Sequence, residues 1–441
     1  MFPDHDSLSA KLFERGRRVM PGGNSRTGVM MEPYPIYAAS GRGCRVTDVE
    51  GVERIDYVNN WSSLIHGHSN PAVLAAIAEQ SRHLLAVGQP TLVEIELAEL
   101  LTERVPGIDM IRFSNSGSEG VLMGLRAAKA FTGRPKVAKV EGAYHGSADP
   151  VEVSVAPSPS AWGDPSRPAS VPATEGITPG VLQDSIVLPF NDVAASREII
   201  RANGGDLAVV VVDPVVSRMG FVQATPAYLA MLREETERHG ILLMFDEVFS
   251  FRVGYHGAQG EVGITPDITA LGKIIGGGLP VGATGGRADV MEVFDQTRKP
   301  LRVEHGGTYN ANPMTMAAGL AAMQQMTPEA YARLDALGER FRSGIERAMH
   351  DNGLVGQVQG VASMAAMIFN DAPFSNYREL PLRRREAEMI YALHRHLLNH
   401  GVTIIPHGLM LLSTAMTEDD IDETLAAMDA GMKTLVGAVT G

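Results

Sequence analysis

Residues Leu207–Val212 are apolar without interruption. A strand that faces water on one side alternates apolar and polar positions, so a run with no polar position must be covered on both faces. A second run of this kind lies at 241–245 and a shorter strand at 268–271, with earlier short strands at 110–113 and 136–140. Helical patterns at 119–131 and 227–239 fall between them. Strands alternating with helices predict an α/β fold whose central sheet is mostly parallel and helix-covered.

The flanks read differently. A short helix at 11–20, a hairpin over 41–57 and helices at 71–85 and 94–104 precede the alternating region. After Pro313 the pattern turns helical, at 314–326, 328–350, 382–399 and 418–436, with β-segments near 363–369 and 410–413. This predicts three parts: an N-terminal segment, 1–60, packed with a small domain; a large domain, 61–313; and a smaller α+β domain, 314–441. The stretch 154–179, rich in Pro, Ser and Ala, has no period. It is either a functional lid or a surface insertion, and the pattern alone leaves both open.

Composition narrows the function classes. The formal charge of -13 argues against general nucleic-acid binding, which needs a basic surface. The single cysteine, Cys44, excludes an intrachain disulfide or a cysteine metal cluster and points to a reducing, cytoplasmic setting. The first 20 residues lack the apolar core of a signal peptide, and no apolar run is long enough to span a membrane. The histidines form no defensible metal site.

Four stretches carry chemistry. Lys273 follows the 268–271 strand and precedes Gly276-Gly277-Gly278, at the strand end where open α/β sheets bind ligands. A lysine out of water loses basicity and can attack a carbonyl to form a Schiff base; an incidental lysine in a Gly-rich turn is the alternative. Asp246 closes the 241–245 run, where a carboxylate can hold a protonated ring nitrogen, ligate a metal or cap a helix. Ser116-Gly117-Ser118-Glu119 joins a strand to a helix, which suits both a phosphate cradle and a capping box. In Glu141-Gly142-Ala143-Tyr144-His145-Gly146 the tyrosine can stack on a flat ring or serve as core.

In their order along the chain, these stretches, with Asp213-Pro214-Val215 and Gly307-Thr308-Tyr309-Asn310, resemble the class III aminotransferases of fold type I. Within that class the chain is similar to glutamate-1-semialdehyde aminomutases and β-phenylalanine-type aminotransferases. The resemblance implies pyridoxal 5'-phosphate as cofactor, with Lys273 forming the Schiff base and shuttling the proton, and Asp246 pairing with the pyridine nitrogen. It implies that Val248 packs on the ring face opposite the substrate and Tyr144 stacks on the ring, with His145 and Asp213 beside the cofactor. Ser116, Gly117 and Ser118 would bind the phosphate, joined by Thr308 from the second subunit of a homodimer. The implied reaction moves an amino group from a small-molecule donor to a keto acid by a ping-pong route. The alternative is intramolecular transfer of the aminomutase kind.

Three departures or matches bear on the substrate. Asp213 stands where the family usually has Glu, one methylene longer. The Pro406-His407-Gly408 loop has no arginine, although some relatives clamp an α-carboxylate there. Met20-Pro21-Gly22-Gly23-Asn24-Ser25-Arg26 matches the stretch whose arginine holds a β-amino acid's carboxylate. Arg26 is therefore a candidate substrate anchor. Trp61 is either a second lining residue or a core tryptophan.

Overall fold

A computed structural model describes residues 1–380 and 384–440. The first two residues of the helix expected at 382–399, Leu382 and Arg383, lie outside the described residues; the helix is seen as Arg384–Asn399. The chain folds into two compact units. One comprises Met1–Pro71, Arg333–Asp371 and Pro381–Gly441, and the other Ala72–Ala332 with Ala372–Leu380.

The second unit is built on a seven-stranded sheet. In chain order its strands are β1 (Met110–Ser114), β2 (Lys136–Val140), β3 (Ser185–Leu188), β4 (Leu207–Val212), β5 (Leu242–Asp246), β6 (Ile268–Gly272) and β7 (Gly282–Gly286). Across the sheet they lie in the order β1-β7-β6-β5-β4-β2-β3. β2, β3, β4, β5 and β6 pair in parallel, while β7 runs antiparallel to both its neighbours. All six residues of β4 and all five of β5 are buried, so the unbroken apolar runs are covered on both faces. Helix Gly117–Thr132 lays Val121, Leu125 and Ala128 against a core that includes Val209, Met244 and Ile268.

The 154–179 stretch holds a short 3-10 turn and a two-residue hairpin, Gly163–Asp164 with Arg167–Pro168. Ser154 is fully buried, and its Oγ donates to the Ala169 carbonyl at 2.7 Å.

The first unit carries a four-stranded sheet, Ala38–Arg42, Arg45–Asp48, Glu53–Asp56 and Val402–Thr403, the last pairing in parallel with the third. A three-stranded sheet of Gln357–Gln359, Met364–Ile368 and Leu409–Leu411 and the helices Arg384–Asn399 and Glu418–Thr440 complete it. Among the described residues no helix is long and apolar enough to cross a membrane.

Candidate active site

The carboxyl ends of β4, β5 and β6 bring three expected residues together. β5 and β6 are neighbours, with Asp246 registered opposite Ala270; Lys273 comes directly after β6 and Asp213 directly after β4. Lys273 adopts φ +50, a left-handed conformation that costs a residue with a Cβ about 1–3 kcal/mol and tends to persist at functional sites. Lys273 is half-buried as a residue, but its ammonium sits 4.5 Å from the centroid of the Phe249 ring. Loss of water lowers its pKa to about 8, against the opposing pull of Asp246 and Asp213.

Asp246 is buried and held by two donors. His145 Nδ1 lies 2.8 Å from Oδ2, and the Val248 backbone N–H donates to Oδ1 at 3.0 Å. Burial lowers the pKa of His145, with the Asp246 bond opposing. A neutral ring that donates from Nδ1 leaves Nε2 bare. That atom is buried and has no protein partner among the described residues. Asp213 is raised well above the usual carboxylate range, by burial first and by repulsion from Asp246 second. Its Oδ1 accepts from the Val215 N–H at 3.1 Å.

The Ser-Gly-Ser turn opens helix Gly117–Thr132. Ser116 is the N-cap, its Oγ accepting from the Glu119 N–H at 3.2 Å, and Glu119 Oε2 accepts from the Asn115 N–H at 2.7 Å. The capping box is real, and the first N–H groups of the helix still lack intrahelical partners. Two glycines are required here. A Cβ at Gly117 would lie 2.6 Å from Val248 Cγ1, and one at Gly146, φ +81, would lie 2.4 Å from Ser118 Oγ. Val248 therefore lies directly against the Ser-Gly-Ser turn. The turn after β2 reaches it too, because Ser118 Oγ accepts from the Ser147 N–H at 3.2 Å. Tyr144, on that turn, is 46% exposed. Thr308 lies on an exposed turn tied to this region through Asn310, whose Oδ1 accepts from Asn115 Nδ2 at 2.9 Å.

Several residues here carried no sequence signal. Lys139 is fully buried within β2, and its Nζ donates to the carbonyls of Ala143 and Val153, each at 2.7 Å. Burial lowers its ammonium to about 7. Arg378, from the Ala372–Leu380 segment, grips buried Glu141 with two nitrogens, at 2.7 and 3.0 Å, and donates to the Trp162 carbonyl at 2.6 Å. Its neighbour Tyr377 packs on Gly142 and donates its hydroxyl to the Pro157 carbonyl at 3.0 Å. The Tyr144 turn and the Pro-rich stretch are thus fastened together. Only the three-dimensional fold could reveal these partners.

Arg26 and Trp61 belong to the first unit. Arg26 Nη1 donates to Asn60 Oδ1 at 2.9 Å, and Gly28 lies against the Trp61 indole. Both residues line a cavity of about 290 Å³, with Asp56 Oδ2 and His68 Nε2, hydrogen-bonded at 2.8 Å, also in its wall. No group of His, Cys, Asp and Glu side chains among the described residues could hold a metal ion.

A parallel sheet with one reversed strand, and a lysine and a histidine-bound aspartate at neighbouring strand ends, define a fold type I transferase that works with pyridoxal 5'-phosphate. The chain belongs to the aminotransferase class-III family, whose pattern it matches over residues 28–431. It is 38% identical over 427 residues to glutamate-1-semialdehyde 2,1-aminomutase 2 of Bacillus licheniformis, covering 96% of each chain. Its fold is similar to an omega-transaminase from Sphaerobacter thermophilus, with TM-score 0.95 and 46% identity over 97% of this chain and 98% of that one. It is also similar to a β-phenylalanine aminotransferase from Variovorax paradoxus, with TM-score 0.86 and 35% identity over 98% of this chain and 94% of that one.

Proposed function

We propose that this aminotransferase takes its amino group from a β-amino acid, or an amine with a remote carboxylate, and passes it to a keto acid. The pairing of Lys273 and Asp246 at adjacent strand ends carries the reading. When bound, the cofactor supplies an aldehyde that captures an amine and a ring that draws off the electrons of a carbanion. The residues fit such a group. An amine of lowered basicity stands beside a buried carboxylate, and the orphaned His145 Nε2 and the glycine-lined turn lie close by. Lys273 would hold the aldehyde, Asp246 the ring nitrogen, and Ser116, Gly117 and Ser118 the phosphate. Tyr144 and Val248 would cover the two ring faces, with His145 and Asp213 alongside.

The chain's own groups then do the rest. With its pKa near 8, Lys273 is partly neutral around neutral pH, so it can take a proton from the substrate carbon and return it. His145 donates to Asp246 and keeps that carboxylate oriented toward the ring nitrogen. Its own neutrality avoids a competing charge in the same buried space. Asp213, with its raised pKa, would hold a proton beside the site.

Arg26 would anchor the donor's carboxylate, supported by its exposed position on the wall of the 290 Å³ cavity and by its single carboxamide partner, Asn60. Trp61 would line the same space. We also propose a homodimer, supported by exposed Leu85, Leu92, Ile95 and Tyr309. Asn312 Nδ2 donates to the Leu85 carbonyl at 3.0 Å, bringing the Tyr309 turn to that apolar surface, and such surfaces commonly mark interfaces. Thr308 would complete the partner's phosphate site. The single cysteine supports a cytoplasmic setting.

The kinship with aminomutases supports a second reading, intramolecular transfer within one substrate. A two-substrate test separates them. A transaminase stalls after one turnover without a keto acid and resumes when one is added. Sustained isomerisation of a single amino compound with no acceptor would establish the mutase.

A further inference from the structure

A hairpin rises from the carboxyl end of β4, beside Asp213. Val215–Val216 pairs with Val222–Gln223, and Arg218 stands in the turn between them. The turn is held closed, because the Gly220 N–H donates to the Ser217 carbonyl and the Phe221 N–H to the Val216 carbonyl, each at 3.1 Å. Phe221 packs on Phe249 with ring centroids 5.8 Å apart, and Phe249 is the ring against which the Lys273 ammonium lies. Arg218 is thus carried at the ligand-binding end of the sheet by a short, fixed element.

The guanidinium itself is exposed and lies 5.9 Å from the centroid of the Tyr144 ring. It makes no hydrogen bond or ion pair among the described residues. The other cations nearby are committed: Lys139 to two carbonyls and Arg378 to Glu141. Arg252, which also acts on Lys273, is fully buried. Glu141 is taken up by Arg378, which leaves the Arg218 guanidinium as the cation beside Tyr144 that can meet a ligand.

We infer that Arg218 anchors the carboxylate of the keto-acid acceptor, and so determines that the acceptor is a keto acid. The inference rests on the two-substrate reading above. A keto acid carries its carboxylate on the carbon next to the reacting carbonyl, so its anchor must stand close to the Lys273 end of the sheet. A guanidinium presents two parallel N–H donors that match a carboxylate. The Tyr144 face orients the fork, and the substrate's arrival removes water from it.

The test loads the enzyme with the aminated cofactor and follows its conversion by absorbance with two acceptors, pyruvate and propanal. These are similar in size and differ in the carboxylate. Arg218→Ala is expected to lower kcat/KM for pyruvate by about tenfold to a hundredfold, the loss of a charge-assisted bond, and to change propanal little. Arg218→Lys should recover part of the loss. Cofactor affinity, read by tryptophan fluorescence, should stay at the wild-type value. Equal losses with both acceptors, or no loss with either, overturn the assignment. A fall in cofactor affinity overturns it too, since it makes Arg218 a contact of the cofactor phosphate. Wild-type enzyme that reacts with no keto acid overturns the transaminase reading, and this role with it.

Discussion

Asp246→Asn removes one charge from a site that the rest of the protein keeps in place. The asparagine Oδ1 can still accept from the Val248 N–H, now at 3.0 Å. Its amide can face His145 if that ring moves its proton from Nδ1 to Nε2, an atom with no protein partner among the described residues. The charge lost also stood beside Asp213, whose carboxyl stays raised by burial but loses the repulsion from Asp246. Fold and cofactor binding should therefore survive. A neutral amide, however, cannot stabilise a protonated ring nitrogen. A preorganised group aimed at developing charge is worth about 3–4 kcal/mol, so kcat should fall roughly a hundredfold to a thousandfold. The assay is single-turnover conversion of the bound cofactor by a saturating amino donor, with occupancy measured on the same sample. A rate within a few-fold of wild type at full occupancy would refute the role given to Asp246.

Lys273 should be the residue that borohydride joins to the cofactor, as mapped by peptide mass. Because its ammonium pKa is lowered to about 8, the neutral amine grows as pH rises toward that value. Attachment of cofactor to the cofactor-free protein should speed up about tenfold per pH unit below it and level off above it; a flat profile from pH 6 to 9 would contradict this. Arg26→Ala should raise KM for carboxylated donors and leave simple amines nearly unchanged, with a loss of about 2–5 kcal/mol if the contact is buried. Equal effects on both donor classes would remove Arg26 from the site. Diluting the enzyme until it dissociates, followed by sedimentation, should release cofactor as the Thr308 contribution is lost. A fully active monomer would rule that out.

The chemistry at strand ends was legible because it coincides with strong local patterns. β4 is apolar throughout and β5 is apolar up to Phe245, so the pattern alone places Asp213 after the first and Asp246 at the end of the second. β7 was not legible. It reads Gly-Ala-Thr-Gly-Gly, with little strand propensity, and exists because β6 and β1 pair with it on both sides. Its glycines answer to packing, for a Cβ at Gly285 would meet Ile108 at 2.6 Å. β3 is only four residues long and follows the Pro-rich stretch after one short helix, Pro179–Asp184, so no pattern marks it as a strand. The partners within the site were out of reach for a different reason. His145 and Asp246 lie 101 residues apart, and Glu141 and Arg378 lie 237 apart. No periodicity links such positions. Nothing in the sequence around Lys139 signals that its ammonium is buried on two carbonyls.

The Ala372–Leu380 segment belongs to the sheet-bearing unit although both its flanks belong to the other. This bears on synthesis. A nascent chain has emitted every strand of the large sheet once Gly286 leaves the ribosome, yet the Glu141 carboxylate stays without its guanidinium partner until Arg378 emerges. Until then Glu141 lacks its two-nitrogen partner and the Tyr144 turn lacks the fastening that Tyr377 and Arg378 supply. Maturation of the cofactor site therefore comes late in translation. A fragment ending at Ala332 would carry every strand of the large sheet but lack Tyr377 and Arg378, which hold the Tyr144 turn in place.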